Sequence, residues 1–228
     1  MNKYSALLGA LLIAAMGINA QQAKAFGIGN ITAAIPGVGG SSAGAVSSGD
    51  IDAFIKTAQD ADVMIGTATT HIFKAVANKD EIAELEAKEA AANSIADPAE
   101  KEAAINKVKS DKATVVQKAL SSKDVQDKLN GMSKEQLSAF GNAAFTFMLG
   151  VLKDKQLADG SRALVSGVAA NPTLLPRLAA LKDVASSVSA QAANTAKIGE
   201  GLVKLASAGK IAALPTSASE QPKEVKDI

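Results

Sequence analysis

Apolar positions recur at helical spacing along most of the chain, and no segment alternates convincingly at the two-residue period of a half-buried strand. The first clear row is Ile51, Phe54, Ala58, Ala61, Ile65, Ala68, Ile72 and Ala75, in steps of three and four. Such a row turns one side of a helix toward a partner, as a heptad seam does. Asp50 has the short acceptor side chain of an N-cap. Asp50 and Asp52 at the front and Lys74 and Lys79 at the back follow the order that the helix dipole favours. A second row, Leu181, Val184, Val188, Gln191, Thr195, Ile198, Leu202 and Leu205, predicts a long helix opened by Asn171-Pro172 and stopped at Gly209.

Between these rows lies the most apolar stretch outside the N-terminus. Residues 136–152 carry no charge, and Phe140, Phe145, Phe147, Met148, Leu149, Val151 and Leu152 surround the helix instead of forming a stripe. That pattern predicts burial on most sides. Ser133 to Gln136 spells a capping box at its start. Asp159-Gly160 predicts its end, with a short helix following over 161–170. Ser122 predicts the cap of another short helix ending near Asn130-Gly131.

Charged residues crowd positions 79–135 and are sparse over 26–78. Asp97-Pro98 reads as a cap followed by proline in the first helical turn. Glu84 and Lys88 form an i,i+4 pair, and the apolar face is thin: Ile105, Val108, Val115, Val116, Ala119 and Leu120. The expectation is a charged helical hairpin over 79–120, projecting from the edge of the body, with Glu81, Glu84, Glu86 and Glu89 as a solvated face.

The two ends have their own grammar. A single Lys3, an apolar run from Ser5 to Ile18, and Ala23-Lys24-Ala25 form the n-, h- and c-regions of a signal peptide over 1–25. Cleavage is expected after Ala25, with Ala20 the alternative. The run of about 14 residues is short of the roughly 20 that span a bilayer. Residues 26–49 form an uncharged Gly/Ser-rich arm, expected to be mobile, and residues 211–228 a polar tail, expected to be disordered. A helical bundle domain is expected over 50–210.

Composition narrows the function. Hydrophobic residues make up 47% but aromatics only 3%, which favours close-packed helices over sandwiches and barrels. The formal net charge of +1 falls by two if Lys3 and Lys24 leave with the leader. With Arg162 and Arg177 the only arginines, no field or fork geometry points to nucleic acid. The absence of cysteine removes disulfides, thiolate catalysis and Cys-ligated metals.

Two features invite a catalytic interpretation. Gly40-Ser41-Ser42-Ala43-Gly44 matches the G-x-S-x-G of a nucleophile elbow, but Ser42 lacks the preceding strand that the elbow requires. The one histidine, His71, lies on the same predicted helix as Asp60 and Asp62. At 1.5 Å per residue Asp60 is about 16 Å from it along the axis, so neither acid orients the imidazole. No metal-ligand set, calcium loop or phosphate-binding loop is spelled.

The chain therefore reads as an all-α, multi-helix bundle of about five to seven helices with no catalytic, cofactor or metal site. Phe54, Ile65, Ile72, Phe140, Phe147, Leu181, Val188 and Leu202 are its expected core. The expected role is that of an exported, periplasmic or extracellular, non-catalytic protein. It binds a protein partner or an apolar ligand such as a lipid in grooves between helices. The alternative is a membrane-active protein that inserts 136–152 or the 26–49 arm into a bilayer, or touches it peripherally.

Overall fold

The computed structural model describes residues 46–226. The leader, its cleavage site, Ser42 and most of the 26–49 arm lie outside the described residues. Among the described residues six α-helices follow one another: α1 (Ser48–Val76), α2 (Lys79–Asn93), α3 (Pro98–Ser121), α4 (Asp124–Asn130), α5 (Lys134–Ala169) and α6 (Leu178–Ser207). A short 3-10 turn, Leu175–Arg177, leads into α6, and no strand occurs among the described residues.

Local chemistry sets most boundaries. α1 begins two residues before Asp50, because Ser47 is the N-cap and Asp50 is its reciprocal partner. The Ser47 amide donates to Asp50 Oδ2 at 2.8 Å, and the Asp50 amide donates to Ser47 Oγ at 3.3 Å. The same device opens α2 with Asn78 and Glu81, and α5 with Ser133 and Gln136. Asp97 caps α3 through the amides of Ala99 and Glu100, with Pro98 in the first turn. α6 ends in a left-handed Gly209 at φ 68°, and the Lys210 amide reaches back to the Leu205 carbonyl at 2.9 Å.

Four helices form the body. α5 packs along α1 and α6, and α3 closes the far side against the same two, so α1 and α6 each touch both α3 and α5. All eight expected core side chains are buried. α1 and α5 approach closely at Gly150, where an added Cβ would stand 2.7 Å from Ile65 Cγ1 and 3.2 Å from the Ala61 carbonyl oxygen.

Several expectations are revised. The last long helix opens at Leu178, after the Leu175–Arg177 turn, and not at Asn171-Pro172. The hairpin does not project as a unit. Ile105, Val108, Val116 and Leu120 bury α3 in the body, and α2 alone is peripheral, lying mainly on α3.

Gly160 does not end a helix either, since α5 runs unbroken for 36 residues. Leu157, Gly160, Leu164 and Val168 are all buried and continue one inward stripe. Burying those side chains outweighs the cost of about 1 kcal/mol for an interior glycine.

The tail also differs from expectation. Residues 211–226 contain no helix or strand, yet Ile211 and Pro215 are buried, and Leu214 and Val225 pack on the main core cluster. The tail is a strap laid over α5, anchored by apolar side chains that a polar composition conceals.

Candidate functional site

α5 is apolar all round over much of its length because both of its sides are covered. From Ala139 to Gly150 only Asn142 and Met148 are more than slightly exposed. Inward it faces α1 and α6, and outward it carries the strap.

The inward side contains the most unusual group in the protein. Asp154 is fully buried, and neither carboxylate oxygen has a hydrogen-bond partner among the described residues. Its neighbour across the interface is Asp62 of α1, whose own charge is satisfied. Lys109 Nζ of α3 donates to Asp62 Oδ2 at 3.2 Å, and Gln191 Nε2 of α6 donates to Asp62 Oδ1 at 3.1 Å. Burial, reinforced by the Asp62 charge, pushes the Asp154 carboxyl up from 3.8 to about 7. Four helices thus contribute to one polar layer. It falls between two apolar clusters, one around Ile51, Phe54, Leu157 and Leu181, the other around Ile72, Phe140, Phe147 and Leu202.

Lys153, the preceding residue, is also buried but turns to the strap, where its ammonium donates to the Ala218 carbonyl at 2.9 Å. Burial lowers its pKa, and Asp60, which is paired with Lys56 at 2.7 Å, opposes that shift.

The outward side binds polypeptide. Asn142 Nδ2 donates to the Glu224 carbonyl and Thr146 Oγ1 to the Lys223 carbonyl, each at 3.1 Å. The Lys223 ammonium sits 4.2 Å from the centre of the Phe145 ring. Phe145, Leu149 and Met64 form a small apolar cluster of their own. Asn142 and Thr146, two of the polar interruptions in the uncharged run, therefore serve main-chain carbonyls of the strap. Two open hollows border it, one lined by Lys134, Gln136, Ser138, Asn142 and Lys226, the other by Leu152, Gln156, Ser217 and Ser219.

The sequence-level candidates fall elsewhere. His71 sits partly exposed on α1, in one continuous helix with Asp60 and Asp62, which places them roughly 13–16 Å from it along the axis. Of the expected solvated carboxylates, Glu81 is a cap partner, and Glu84 pairs with Lys88 at 2.6 Å in solvent. Glu89 does more than face water: it binds the buried ammonium of Lys112 at 2.7 Å and ties α2 to α3. No cluster of three or more metal-ligating side chains occurs among the described residues. Nor is any described helix long and apolar enough to cross a membrane.

Sequence reasoning missed Asp154, although its spacing from Gly150 and Leu157 places it on the inward stripe. An acid at such a position is the signal that could have found it. Comparison with known proteins gives no match to a family model, a curated protein or a solved structure.

Proposed function

We propose that this is an exported, non-catalytic helical protein that binds a protein partner in a groove of its bundle. One observation carries this: the outer side of α5 already holds a polypeptide without helix or strand, its own strap, through side-chain hydrogen bonds to main-chain carbonyls and an aromatic contact. That is groove recognition of a peptide, performed in cis. The two hollows beside the strap are open and partly polar, which favours a protein partner over a lipid held in a closed cavity. The leader-like N-terminus supports export, and the cysteine-free composition is compatible with it.

Two measurements test it. Cell fractionation should recover an exported species beginning at Phe26, and an intact N-terminus retained in the cytoplasm would overturn the export half. A photo-crosslinking residue at Ser138, exposed on α5 beside the strap, should capture one defined protein of the envelope or medium. Adducts within the chain alone would overturn the binding half.

A further inference from the structure

The proposed binding function rests on the strap occupying a groove, and the strap's own contacts define what else fits there. All three hydrogen bonds from α5 to the strap run from side chains, Asn142, Thr146 and Lys153, to main-chain carbonyls, those of Glu224, Lys223 and Ala218. Every peptide presents such carbonyls, so these bonds hold the path of the main chain without reading sequence. Side-chain contacts do read it: the Lys223 ammonium on Phe145, and Leu214 and Val225 packed against the main core cluster, with Pro215 buried beside Leu214 in the chain.

Between the two docked stretches the strap folds on itself. The Glu220 carboxylate accepts from the amides of Thr216 at 2.6 Å and Ser217 at 3.0 Å, which also lowers its pKa. The strap joins the body just beyond Gly209, whose left-handed backbone marks the end of α6. Among the described residues no helix follows it, so its departure breaks none of the six helices.

We propose that residues 212–226 are a displaceable cis occupant of a peptide-binding groove on α5. The groove's partner in trans is an extended segment bearing a cation followed two residues later by a branched apolar side chain. The strap holds the groove closed to weak ligands, because a tethered occupant competes at an effective concentration on the order of millimolar. Only a segment that binds better than the strap, or one present in excess, displaces it.

The test uses a fluorescent synthetic peptide of residues 212–226, added to the full chain and followed by anisotropy. The intact chain should bind it weakly. A full chain carrying Lys223→Glu and Val225→Asp in its own strap keeps α5 unchanged and should bind the peptide at least about tenfold more tightly. Adding Asn142→Arg to that chain should abolish binding, while the helical circular dichroism and its thermal transition stay unchanged. Equal affinity for the intact and strap-weakened chains would overturn the proposal, as would binding that survives Asn142→Arg.

The two proposals can fail separately. A partner that crosslinks far from α5 with no trans peptide binding removes the groove and leaves the binding function. Trans peptide binding with no foreign protein captured at Ser138 does the reverse.

Discussion

α2 and α5 are both helices opened by a capping box, yet different forces hold them. α2 buries only Leu85 and Ala92 among its 15 residues. It relies on the Asn78–Glu81 box, on Glu84–Lys88, and on the Glu89–Lys112 tie to α3. A helix of that length is marginal by itself, and exposed ion pairs add little. α5 is covered on two sides and buries aromatic, aliphatic and even charged side chains. The difference separates local grammar, which makes a helix, from burial, which makes a structural axis. It also shows where this molecule tolerates a costly group: Asp154 persists only because the packing around it is extensive.

The sharpest way to break the comparison is to remove matched apolar bulk. Phe147→Ala on α5 should lower unfolding free energy by about 3–5 kcal/mol, measured by urea denaturation. Leu85→Ala on α2 should cost about 2 kcal/mol, at the low end for a buried leucine whose site can collapse. Equal losses would mean that α2 belongs to the body as fully as α5 does.

Next comes the pH dependence of Asp154. In the unfolded chain this carboxyl loses its proton near 3.8, whereas in the folded protein it holds it to about 7. Between those values the folded state binds more protons than the unfolded one, so stability falls as pH rises. The slope is up to about 1.4 kcal/mol per pH unit, or about 4 kcal/mol across the window. Asp154→Asn should flatten that fall and unfold at higher urea than the parent at pH 8, with little or no advantage at pH 4. A parent protein whose stability rises from pH 4 to 7, with the Asn variant following in parallel, would show that Asp154 is not the buried acid described here.

Gly150→Ala probes the close approach of α1 and α5. The added methyl must move Ile65 or push α1 away, at a cost of about 1–3 kcal/mol, seen as a lowered melting temperature. At the small end, Lys88→Ala on α2 should change stability by less than about 0.5 kcal/mol, because Lys88 is well exposed and its pairs, Glu84 at 2.6 Å and Asp111 of α3 at 3.7 Å, are screened by solvent. A larger loss there would erase the contrast from the other side.

How much of this was legible in the sequence follows from the same contrast. The seams of α1 and α6 were visible because their apolar residues repeat at three and four. The wrap-around burial of α5 was visible because residues 136–152 lack charge. The continuation of α5 through Gly160 was not, because a local stop signal had to be weighed against packing that only the assembled bundle supplies. The strap was hidden for a related reason. Its polar composition resembles disorder, and its anchors are a few scattered apolar side chains and main-chain carbonyls, which sequence does not distinguish. Lys112 and Asp154 both sit at inward positions, but a charged residue read alone suggests solvent. Each needed its neighbour in the folded protein to be understood: Glu89, which pairs with Lys112, and Asp62, whose charge opposes that of Asp154.

The outer side of α5 is the proposed binding surface. Competition tests it most directly: photo-crosslinking residues at Ser138 on α5 and at Glu86 on exposed α2, each with and without excess peptide of residues 212–226. The account predicts a foreign-protein adduct at Ser138 that the peptide suppresses, and none at Glu86. An adduct that the peptide leaves unchanged, or one equally strong at Glu86, would contradict it.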